Sequence, residues 1–343
     1  MKPPDTRPQQ PVAPGGTAVP DAAAAPLELV ARLVDAPDCA LPFLDRFYEP
    51  AETALVAALA DGPLGPTALR RLVFATLTRA EVRALLERAY RRGVIERAGR
   101  GRYRTASFHD RFVVWTFFEG WLDLPDDVRD RLREWELAYY VEHARPFVEA
   151  AQAGLPVDPI ENMTYLLLDE VEDILRAQER IYLFPCDCRT IMGSCRKPTL
   201  NCLRFEGPHG HWHDLGWEIS VERAVQNARE HNRLGLMHTG GLPGSAMRGI
   251  CTCCSDCCFP QLAGARLGAV KLWPLSRYVA RIRASACDGC NRCVARCPFG
   301  ALTRAPGAGK GEKAAPTVDP VLCRGCGVCA TGCPAGAMAM DPL

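Results

Sequence analysis

Residues 287–298 read CDGCNRCVARCP, and residues 323–334 read CRGCGVCATGCP. Both stretches follow the pattern C-x₂-C-x₂-C-x₃-C-P, and the second copy repeats the cysteines of the first at a constant offset of 36 residues. Glycines inside the copies and a proline after each fourth cysteine allow the backbone to wrap tightly and then turn away. These residues are Gly289, Gly325, Gly327, Pro298 and Pro334. A cysteine motif written twice in this way predicts two metal centres.

The doubled run resembles the bacterial ferredoxins with two [4Fe–4S] clusters, in which the fourth cysteine of each motif binds the other cluster. The spacing has a physical reason, because three thiolates on one tight loop reach three irons of a cube and the fourth iron needs a thiolate from elsewhere. The resemblance implies one cluster on Cys287, Cys290, Cys293 and Cys333, and a second on Cys323, Cys326, Cys329 and Cys297. Paired zinc knuckles are the alternative, and we favour iron–sulfur clusters because the motif is doubled and keeps both prolines.

Composition indicates the kind of protein mainly through its cysteines. The chain of 343 residues has room for two or three domains, and its 41 Lys and Arg residues balance 40 Asp and Glu residues. Net charge alone therefore indicates neither nucleic acid nor a membrane. Most of the 18 cysteines stand at metal-ligand spacings, which require reduced thiols. Since there is no signal peptide pattern and no apolar run near the ~20 residues that span a bilayer, we expect a cytoplasmic protein without a membrane span.

The sequence predicts an α+β multidomain chain that begins with a leader and a small helical domain. Residues 1–26 are rich in Pro, Gly, Gln and Ala, a composition typical of a disordered segment. Residues 27–107 predict three main helices followed by a hairpin. The helices are expected at 51–60, 66–73 and 79–92, and the hairpin at 94–105. This order resembles a winged helix-turn-helix domain at the level of topology.

The winged-helix-like segment is locally basic. Between Leu69 and Arg104 it holds 11 arginines and 3 glutamates, and arginines on a third helix and a wing are suited to neutralise nucleic-acid phosphates. The alternative is a solvated surface that docks a protein. We favour protein docking, because lysine is absent and the third helix lacks Asn or Gln to read base edges. Nucleic acid stays a candidate partner through residues 69–104.

Residues 108–157 predict a helical connector. Aromatic side chains recur at helical spacing between Phe108 and Tyr140, and packing in a core is their expected use. An acidic break at 124–127 separates a first helix from a second one at 128–143. His109 and His143 are expected to be ordinary, partly exposed histidines.

Residues 158–275 predict a cysteine-rich module in front of a ferredoxin-like βαβ-type dicluster domain at 276–343. An amphipathic helix is expected at 161–180, a strand at 181–184 and a helix at 221–233 that Ser220 caps. The cysteines of the module are Cys186, Cys188, Cys195, Cys202, Cys251, Cys253, Cys254, Cys257 and Cys258. Nine cysteines within 73 residues are too many to be packing choices, so that at least one further metal centre is predicted.

The module resembles an uncharacterised family of microbial iron–sulfur proteins fused to ferredoxin domains. The shared elements are P-C-x-C-R at 185–189, Cys195 near Pro198, Cys202, G-L-x-H at 235–238 and C-x-C-C-x-x-C-C at 251–258. One candidate ligand set is Cys186, Cys188, Cys195 and Cys202, and the later five cysteines add ligands or form a separate centre. We favour a third iron–sulfur cluster over zinc. Neighbouring cysteines cannot easily face one metal, and Cys254 with Cys257 is a candidate redox-active dithiol.

Other polar residues of the module have more than one interpretation. Arg189 is expected to compensate the negative charge of bound thiolates, and His238 is expected to cap a helix or donate to a cluster sulfur. Three alternate histidines suggest a metal site, but the glycines and proline around them favour an exposed loop. They are His209, His211 and His213. Cys39 stands apart and is expected to be a structural thiol.

Three functions are compatible with these patterns. In the favoured one, the ferredoxin clusters relay electrons to or from the additional cysteine-bound centre and a partner oxidoreductase. In the second, the winged helix binds DNA as part of a redox-sensing regulator. In the third, the chain is an oxidoreductase with its chemistry at the middle module, although no G-x-G-x-x-G or Walker-type nucleotide motif is present in the sequence.

Overall fold

The computed structural model describes residues 24–99, 101–156, 164–206, 212–242, 247–305 and 314–343. These residues form two compact units. The first unit contains the described residues up to Glu136 and the short segment 212–217, and the second unit contains the rest. All 18 cysteines are free thiols. Within the described ranges, no helix has both the length and the apolar stretch that crossing a membrane requires. The five-segment division drawn from the sequence stays a prediction.

The first unit is built from helices and one hairpin. Its elements are α1 (Leu27–Val34), α2 (Leu44–Phe47), α3 (Pro50–Ala58), α4 (Pro66–Leu72), α5 (Arg79–Arg91), β1 (Ile95–Arg97), β2 (Tyr103–Thr105) and α6 (Phe108–Phe118). Helix α7 (Asp126–Gln152) begins in this unit and ends in the second. The three predicted helices are present as α3, α4 and α5, and their ends differ from the prediction by at most two residues.

The beginning of α5 shows why the helical pattern was readable. The hydroxyl of Thr78 accepts a hydrogen bond from the backbone N–H of Glu81 at 3.3 Å, and the carboxylate of Glu81 accepts one from the N–H of Thr78 at 2.7 Å. This reciprocal cap satisfies two helix-end donors at once. Strands β1 and β2 then pair antiparallel as the predicted hairpin. The helices and the hairpin occur in the expected order, while a winged-helix identity for this unit stays a prediction.

Aromatic side chains from α2 and α6 form the centre of the first unit. Phe47, Phe108, Phe112 and Trp115 are all buried, and the ring centroids of Phe47 and Trp115 lie 4.4 Å apart. Offset aromatic contacts of this kind add to the area that the rings bury. The prediction that these aromatic residues pack in a core is confirmed.

A buried ion network lies beside this core, and no sequence pattern indicated it. Arg111 is fully buried, and its guanidinium donates to both carboxylate oxygens of Glu119 at 2.8 and 2.7 Å and to the carbonyl of Phe47 at 2.6 Å. Arg92 contacts Glu119 at 2.9 Å and Glu52 at 2.7 Å. Burial raises the pKa of Glu52, although the two guanidinium groups oppose this shift. Two arginines thus share the carboxylate of Glu119.

The second unit contains a six-stranded sheet. Its elements are β3 (Thr164–Leu166), α8 (Leu168–Arg176), β4 (Ile181–Pro185), α9 (Asp187–Met192), β5 (Leu200–Phe205), β6 (Trp217–Ile219), α10 (Val221–Arg233), β7 (Met237–Gly240), β8 (Gly249–Cys253) and α11 (Phe259–Arg266). The strand order is β3-β7-β8-β5-β4-β6. The predicted strand at 181–184 and the predicted helix at 221–233 are confirmed as β4 and α10, and Ser220 caps α10 as expected.

The two faces of this sheet have different side chains. Leu183, Leu203 and Ile250 pack in one hydrophobic cluster with Val171 of α8 and Ala224 of α10. Successive side chains of a strand point to opposite faces. The cysteines of β5 and β8 alternate with these apolar residues, and they therefore lie on the face that α8 and α10 do not cover.

Two helix predictions need correction. The predicted helix at 161–180 begins only at Leu168, because Thr164–Leu166 pairs with β7 as the edge strand β3. Residues 161–163 lie outside the described ranges. Residues 164–166 form a strand despite their helical periodicity, because pairing with β7 satisfies the backbone N–H and C=O groups that a helix would otherwise satisfy. The helix predicted to end near His143 continues to Gln152 as α7, even though Pro146 lies inside it.

The C-terminal part of the second unit repeats itself. Its elements are β9 (Tyr278–Ile282), α12 (Arg292–Arg296), β10 (Leu302–Thr303), β11 (Thr317–Val318), α13 (Val328–Thr331) and β12 (Met338–Pro342). β9 pairs antiparallel with β12, and β10 pairs antiparallel with β11. Each short helix follows a residue with positive φ, Asn291 before α12 and Gly327 before α13. The cysteine repeat of the sequence is therefore also a repeat of local structure.

This repeat is fixed to helices α8 and α10 by polar contacts. Arg277 contacts the carboxylate of Glu170 at 2.6 Å, and the hydroxyl of Tyr278 donates to the same carboxylate at 3.1 Å. At a second point, Arg296 donates to the carbonyl of Asn232 at 2.8 Å and Thr331 donates to the side-chain oxygen of Asn232 at 2.6 Å. Contacts at two separated points restrain both the position and the orientation of the repeat.

Candidate metal centres

The cysteines of the doubled motif line two cavities. One cavity is lined by Cys287, Cys290, Cys293 and Cys333. This cavity is the more accessible, because Cys290 is exposed and Cys287 is half-buried. The carboxylate of Asp288 accepts a hydrogen bond from the N–H of Cys290 at 3.1 Å and so fixes the loop. The N–H of Ala337 donates to the sulfur of Cys333 at 3.2 Å.

The other cavity is lined by Cys297, Cys323, Cys326 and Cys329. Phe299, Leu302 and Val328 complete its apolar wall, and burial raises the pKa of Cys326 to about 12. In each cavity the four thiols are those that the ferredoxin resemblance assigns to one cluster, with the fourth thiol coming from the other motif. The residues present therefore fit two [4Fe–4S] clusters, and the ligand assignment itself stays a proposal.

Replacing Gly325 with alanine should damage the second cavity far more than replacing Gly336. Both glycines have positive φ, +69° and +59°, which costs a residue with a side chain roughly 1–2 kcal/mol. Only at Gly325 would the added Cβ lie 2.2 Å from the carbonyl oxygen of Tyr278, whereas no atom lies within 4 Å of that position at Gly336. We expect Gly325→Ala to lose iron and Gly336→Ala to retain it. Equal iron contents in the two purified variants would contradict a role for the Tyr278 contact.

Six of the nine middle cysteines form a closed ring of neighbouring thiols, which we call the six-thiol group. Each thiol interacts with the next one around the ring. The order is Cys186, Cys188, Cys258, Cys253, Cys251 and Cys202, which closes on Cys186. Five of the six residues are buried, and Cys251 is half-buried. A cube takes four thiolates, so this group has ligands for a larger or differently bound centre, or for one cube with two spare thiols.

The sheet brings these six residues together. Strands β4, β5 and β8 are neighbours, and the register places Cys202 of β5 opposite Phe184 of β4. Cys251 and Cys253 lie two residues apart on β8 and therefore share a face. Cys186 and Cys188 stand at the beginning of α9, and Cys258 is the residue before α11. Two helix ends thus complete a cluster that strands β5 and β8 begin.

Protonation differs around the six-thiol group. Hydrogen bonds with Cys186 and Cys258, together with burial, raise the pKa of Cys188 well above its ordinary value. Hydrogen bonds from Cys188 and Cys253 lower the pKa of Cys258 to about 7. Thiols must lose their protons to bind a metal, and Cys258 is the member of the ring that does so most readily.

The remaining three middle cysteines form a separate cluster, which we call the three-thiol group. It contains Cys195, Cys254 and Cys257 together with Asp256, and one ligand atom of each lies within 4.8 Å of the others. The sulfur atoms of Cys195 and Cys254 are 3.8 Å apart. A hydrogen bond from Cys257 lowers the pKa of Cys254 to about 6. The structure thus separates Cys195 from the three cysteines with which the sequence had grouped it.

Arg189, which the sequence predicted to offset the charge of bound thiolates, lies near thiols of both groups. It is buried and donates to the carbonyl of Thr252 at 2.9 Å and to that of Pro198 at 2.6 Å. Burial alone would lower the pKa of Arg189, but the nearby thiols of Cys186 and Cys254 outweigh burial and raise that pKa. A fixed positive charge therefore faces thiols of both groups.

Tyr165 is a further residue of the site that no sequence pattern singled out. It is buried on β3 in a cluster with Met237 and Val328, and half-buried Phe299 and Cys326 pack against this cluster. Burial raises the pKa of Tyr165 well above its ordinary value, and the thiols of Cys326, Cys258 and Cys253 raise it further. The Tyr165 side chain thus lies between the second ferredoxin-type cavity and the six-thiol group.

The histidines of the middle module are not placed as expected. His213 is buried in the first unit, with its Nδ1 2.6 Å from the carbonyl of Tyr90, and is not part of an exposed loop. His209 and His211 lie outside the described ranges. His238 lies within β7 and not at a helix end, and burial lowers its pKa to about 4. Its neighbour Thr239 contacts Cys253 at 3.4 Å, so His238 points to the opposite face of the sheet.

Comparison with known proteins bears on the C-terminal segment. A search of curated proteins and a search of solved structures gave no match to this chain. A family model described as a 4Fe-4S dicluster domain matches residues 286–337. This match covers both motifs and the eight cysteines that line the two cavities. The chain therefore carries a ferredoxin-type 4Fe–4S domain at its C-terminal end.

Proposed function

We propose that this chain is an electron-transfer protein in which the ferredoxin-type domain exchanges electrons with a third iron–sulfur centre bound by the six-thiol group. Bound [4Fe–4S] clusters supply one-electron transfer. The observation that carries the proposal is the position of Tyr165. Its side chain belongs to the cluster against which Cys326 packs, and it is paired across the strands with Thr239, which contacts Cys253. The chain itself contributes the ligands and the packing that keep the two sites adjacent.

The packing around Tyr165 suits electron transfer between the ferredoxin-type domain and the six-thiol group. Met237 and Val328 are fully buried next to Tyr165, and the ring of Phe299 meets that of Tyr165 edge-on with centroids 6.3 Å apart. Water is therefore excluded from the space between the two sites. The contacts of Glu170 and Asn232 with the C-terminal repeat hold this arrangement in place. Because few polar groups can reorient in this rigid, water-free space, the reorganisation energy of electron transfer between the two sites stays small.

A partner oxidoreductase is proposed to exchange electrons at the first cavity. Cys290 is exposed there, whereas Cys323 and Cys329 of the second cavity are buried. The exposed cavity is the one that a docked protein can approach, and the buried one faces Tyr165. The arrangement supports a path from the surface through the first and then the second ferredoxin-type site toward the six-thiol group, or the reverse.

The experiment compares iron content and EPR spectra of the wild-type chain and Cys258→Ala, both purified without oxygen. The two ferredoxin-type clusters account for about eight irons, and we expect clearly more in the wild type. Cys258→Ala should fall to about eight irons while it keeps the spectrum of the two interacting clusters after dithionite reduction. A wild-type protein with only about eight irons and zinc bound by the six-thiol group would rule out the third cluster.

DNA binding is the weaker candidate. Within the arginine-rich segment, Arg88 contacts Glu49 at 2.6 Å, Arg104 donates to Glu96 at 2.7 Å, and Arg92 belongs to the buried ion network. Arg97 is paired with Asp214. Arginines held by carboxylates have less charge to offer to phosphates. A gel-shift titration tests this candidate, which requires specific binding whose log affinity falls linearly with log salt.

A further inference from the structure

We propose that the three-thiol group binds one tetrahedral zinc ion through the sulfurs of Cys195, Cys254 and Cys257 and a carboxylate oxygen of Asp256. This ion would be separate from the ferredoxin-type clusters and from whatever the six-thiol group holds. Thiolate and carboxylate are both ordinary zinc ligands, and the C-x₂-C spacing of Cys254 and Cys257 is frequent in zinc sites. Four protein ligands leave no open position, which is typical of a structural ion.

The sulfur separation fits a single ion. In a tetrahedral site with Zn–S bonds of about 2.3 Å, two sulfurs lie about 3.8 Å apart. The sulfurs of Cys195 and Cys254 are 3.8 Å apart, and all four donors lie within 4.8 Å of one another. In a cube each thiolate binds a different iron at a different corner, which holds the thiolates further apart than one shared ion does. The donor set is therefore too compact for a cube.

The local backbone structure positions the four donor groups without a bound metal. Cys195 follows α9 after Gly193, which ends that helix in the left-handed conformation with φ of 63°. Cys254 directly follows β8, and a turn at 255–257 carries Asp256 and Cys257. Cys254 and Cys257 are buried against Leu236 and half-buried Met192. The apolar wall covers the thiols, and exposed Asp256 completes the set from the solvent side.

The chain also keeps this site apart from the six-thiol group. The Cys253 thiol interacts with those of Cys251 and Cys258, whereas the adjacent Cys254 thiol interacts with Cys257 and lies 3.8 Å from the sulfur of Cys195. The guanidinium of Arg189 lies near thiols of both groups. A zinc ion here would connect the loop after α9 with the turn before α11. Cys186 and Cys188 lie at the other end of α9, and Cys258 directly follows the turn, so the proposed ion would help to fix the positions of these ligands.

Zinc and iron are measured together on the anaerobically purified full chain, and the zinc environment is determined by X-ray absorption. We expect about one zinc per chain, with three sulfurs at about 2.3 Å and one oxygen at about 2.0–2.2 Å. Cys195→Ala should lose most of this zinc while it retains the iron and the EPR signal of the ferredoxin-type clusters. The control is Cys39→Ala, which alters an isolated thiol of the first unit and should retain both metals.

A second variant keeps the test independent of folding defects. Asp256→Cys should retain zinc and raise the number of sulfur neighbours from three to four. Absence of zinc, iron in its place, or a zinc environment unchanged in Asp256→Cys would overturn the inference. The outcome is distinguishable from failure of the proposed function, because a missing third cluster changes the iron content, whereas only zinc at the three-thiol group responds to Cys195→Ala and Asp256→Cys.

Discussion

Replacing Cys297 with alanine should remove the cluster whose other ligands are Cys323, Cys326 and Cys329, although Cys297 belongs to the first motif. The reason is that these four cysteines line one cavity. We expect the iron content to fall by about four per chain and the EPR interaction between the two ferredoxin-type clusters to disappear. Cys333→Ala should lose the same amount of iron from the other cavity.

Cys297→Ala and Cys333→Ala can be distinguished by how accessible the remaining cluster is to solvent. Cys297→Ala should keep the cluster at the cavity of exposed Cys290, and Cys333→Ala should keep the one at the cavity of buried Cys323. An iron chelator added to the anaerobic proteins should therefore bleach the remaining visible absorbance several-fold faster in Cys297→Ala. The reverse order would mean that each motif binds its own cluster with all four of its cysteines. Cys39→Ala provides the baseline rate for two intact clusters.

The doubled motif was readable from the sequence because its geometry is local. Three cysteines on one loop and the proline after the fourth are fixed by spacing alone, and the two copies fold into matching short helices, α12 and α13. Positive φ at Gly325 and Gly327 follows from the same tight loop. Such features depend on a few consecutive residues, which is why residue order alone predicts them.

The grouping of the middle cysteines was not readable in the same way. Sequence distance suggested that Cys195 joins Cys202, yet Cys202 pairs with Cys251 because β5 is next to β8 in the sheet. Cys195 meets Cys254 instead, which stands 59 residues later. Strand order is set by the packing of the whole sheet, and cysteine spacing carries no information about it. The separation of adjacent cysteines was anticipated, because neighbours cannot easily face one metal, and so was the pairing of Cys254 with Cys257.

Tyr165 was missed for a related reason. Apolar residues between 161 and 180 recur with a helical period, which hid the short edge strand at Thr164–Leu166. The pairing of Tyr165 with Thr239 turns its ring toward the thiol-bearing face of the sheet. A three-residue strand has too little pattern to be recognised before its partner strand is known.

Replacing Glu119 with alanine should strongly destabilise the first unit. The carboxylate of Glu119 accepts two hydrogen bonds from fully buried Arg111 and also contacts Arg92 at 2.9 Å. Without it, the Arg111 guanidinium keeps two carbonyl partners but has lost its bidentate carboxylate. Breaking a buried ion pair by removing one partner costs about 3–5 kcal/mol. We therefore expect Tm of this unit to fall by on the order of 10 °C.

The matched control is Glu96→Ala, which removes a carboxylate from the more exposed pair between Glu96 and Arg104 of the same unit. Surface pairs contribute roughly 0–1 kcal/mol, so Glu96→Ala should change Tm little. Tryptophan fluorescence reports mainly on the first unit, because five of the six tryptophans lie there and only Trp273 lies in the second unit. The visible absorbance of bound clusters reports on the second unit. Glu119→Ala should lower the midpoint temperature of the fluorescence transition more than that of the absorbance transition. Equal changes of Tm in Glu119→Ala and Glu96→Ala would mean that the buried ion network stabilises the first unit no more than a surface ion pair does.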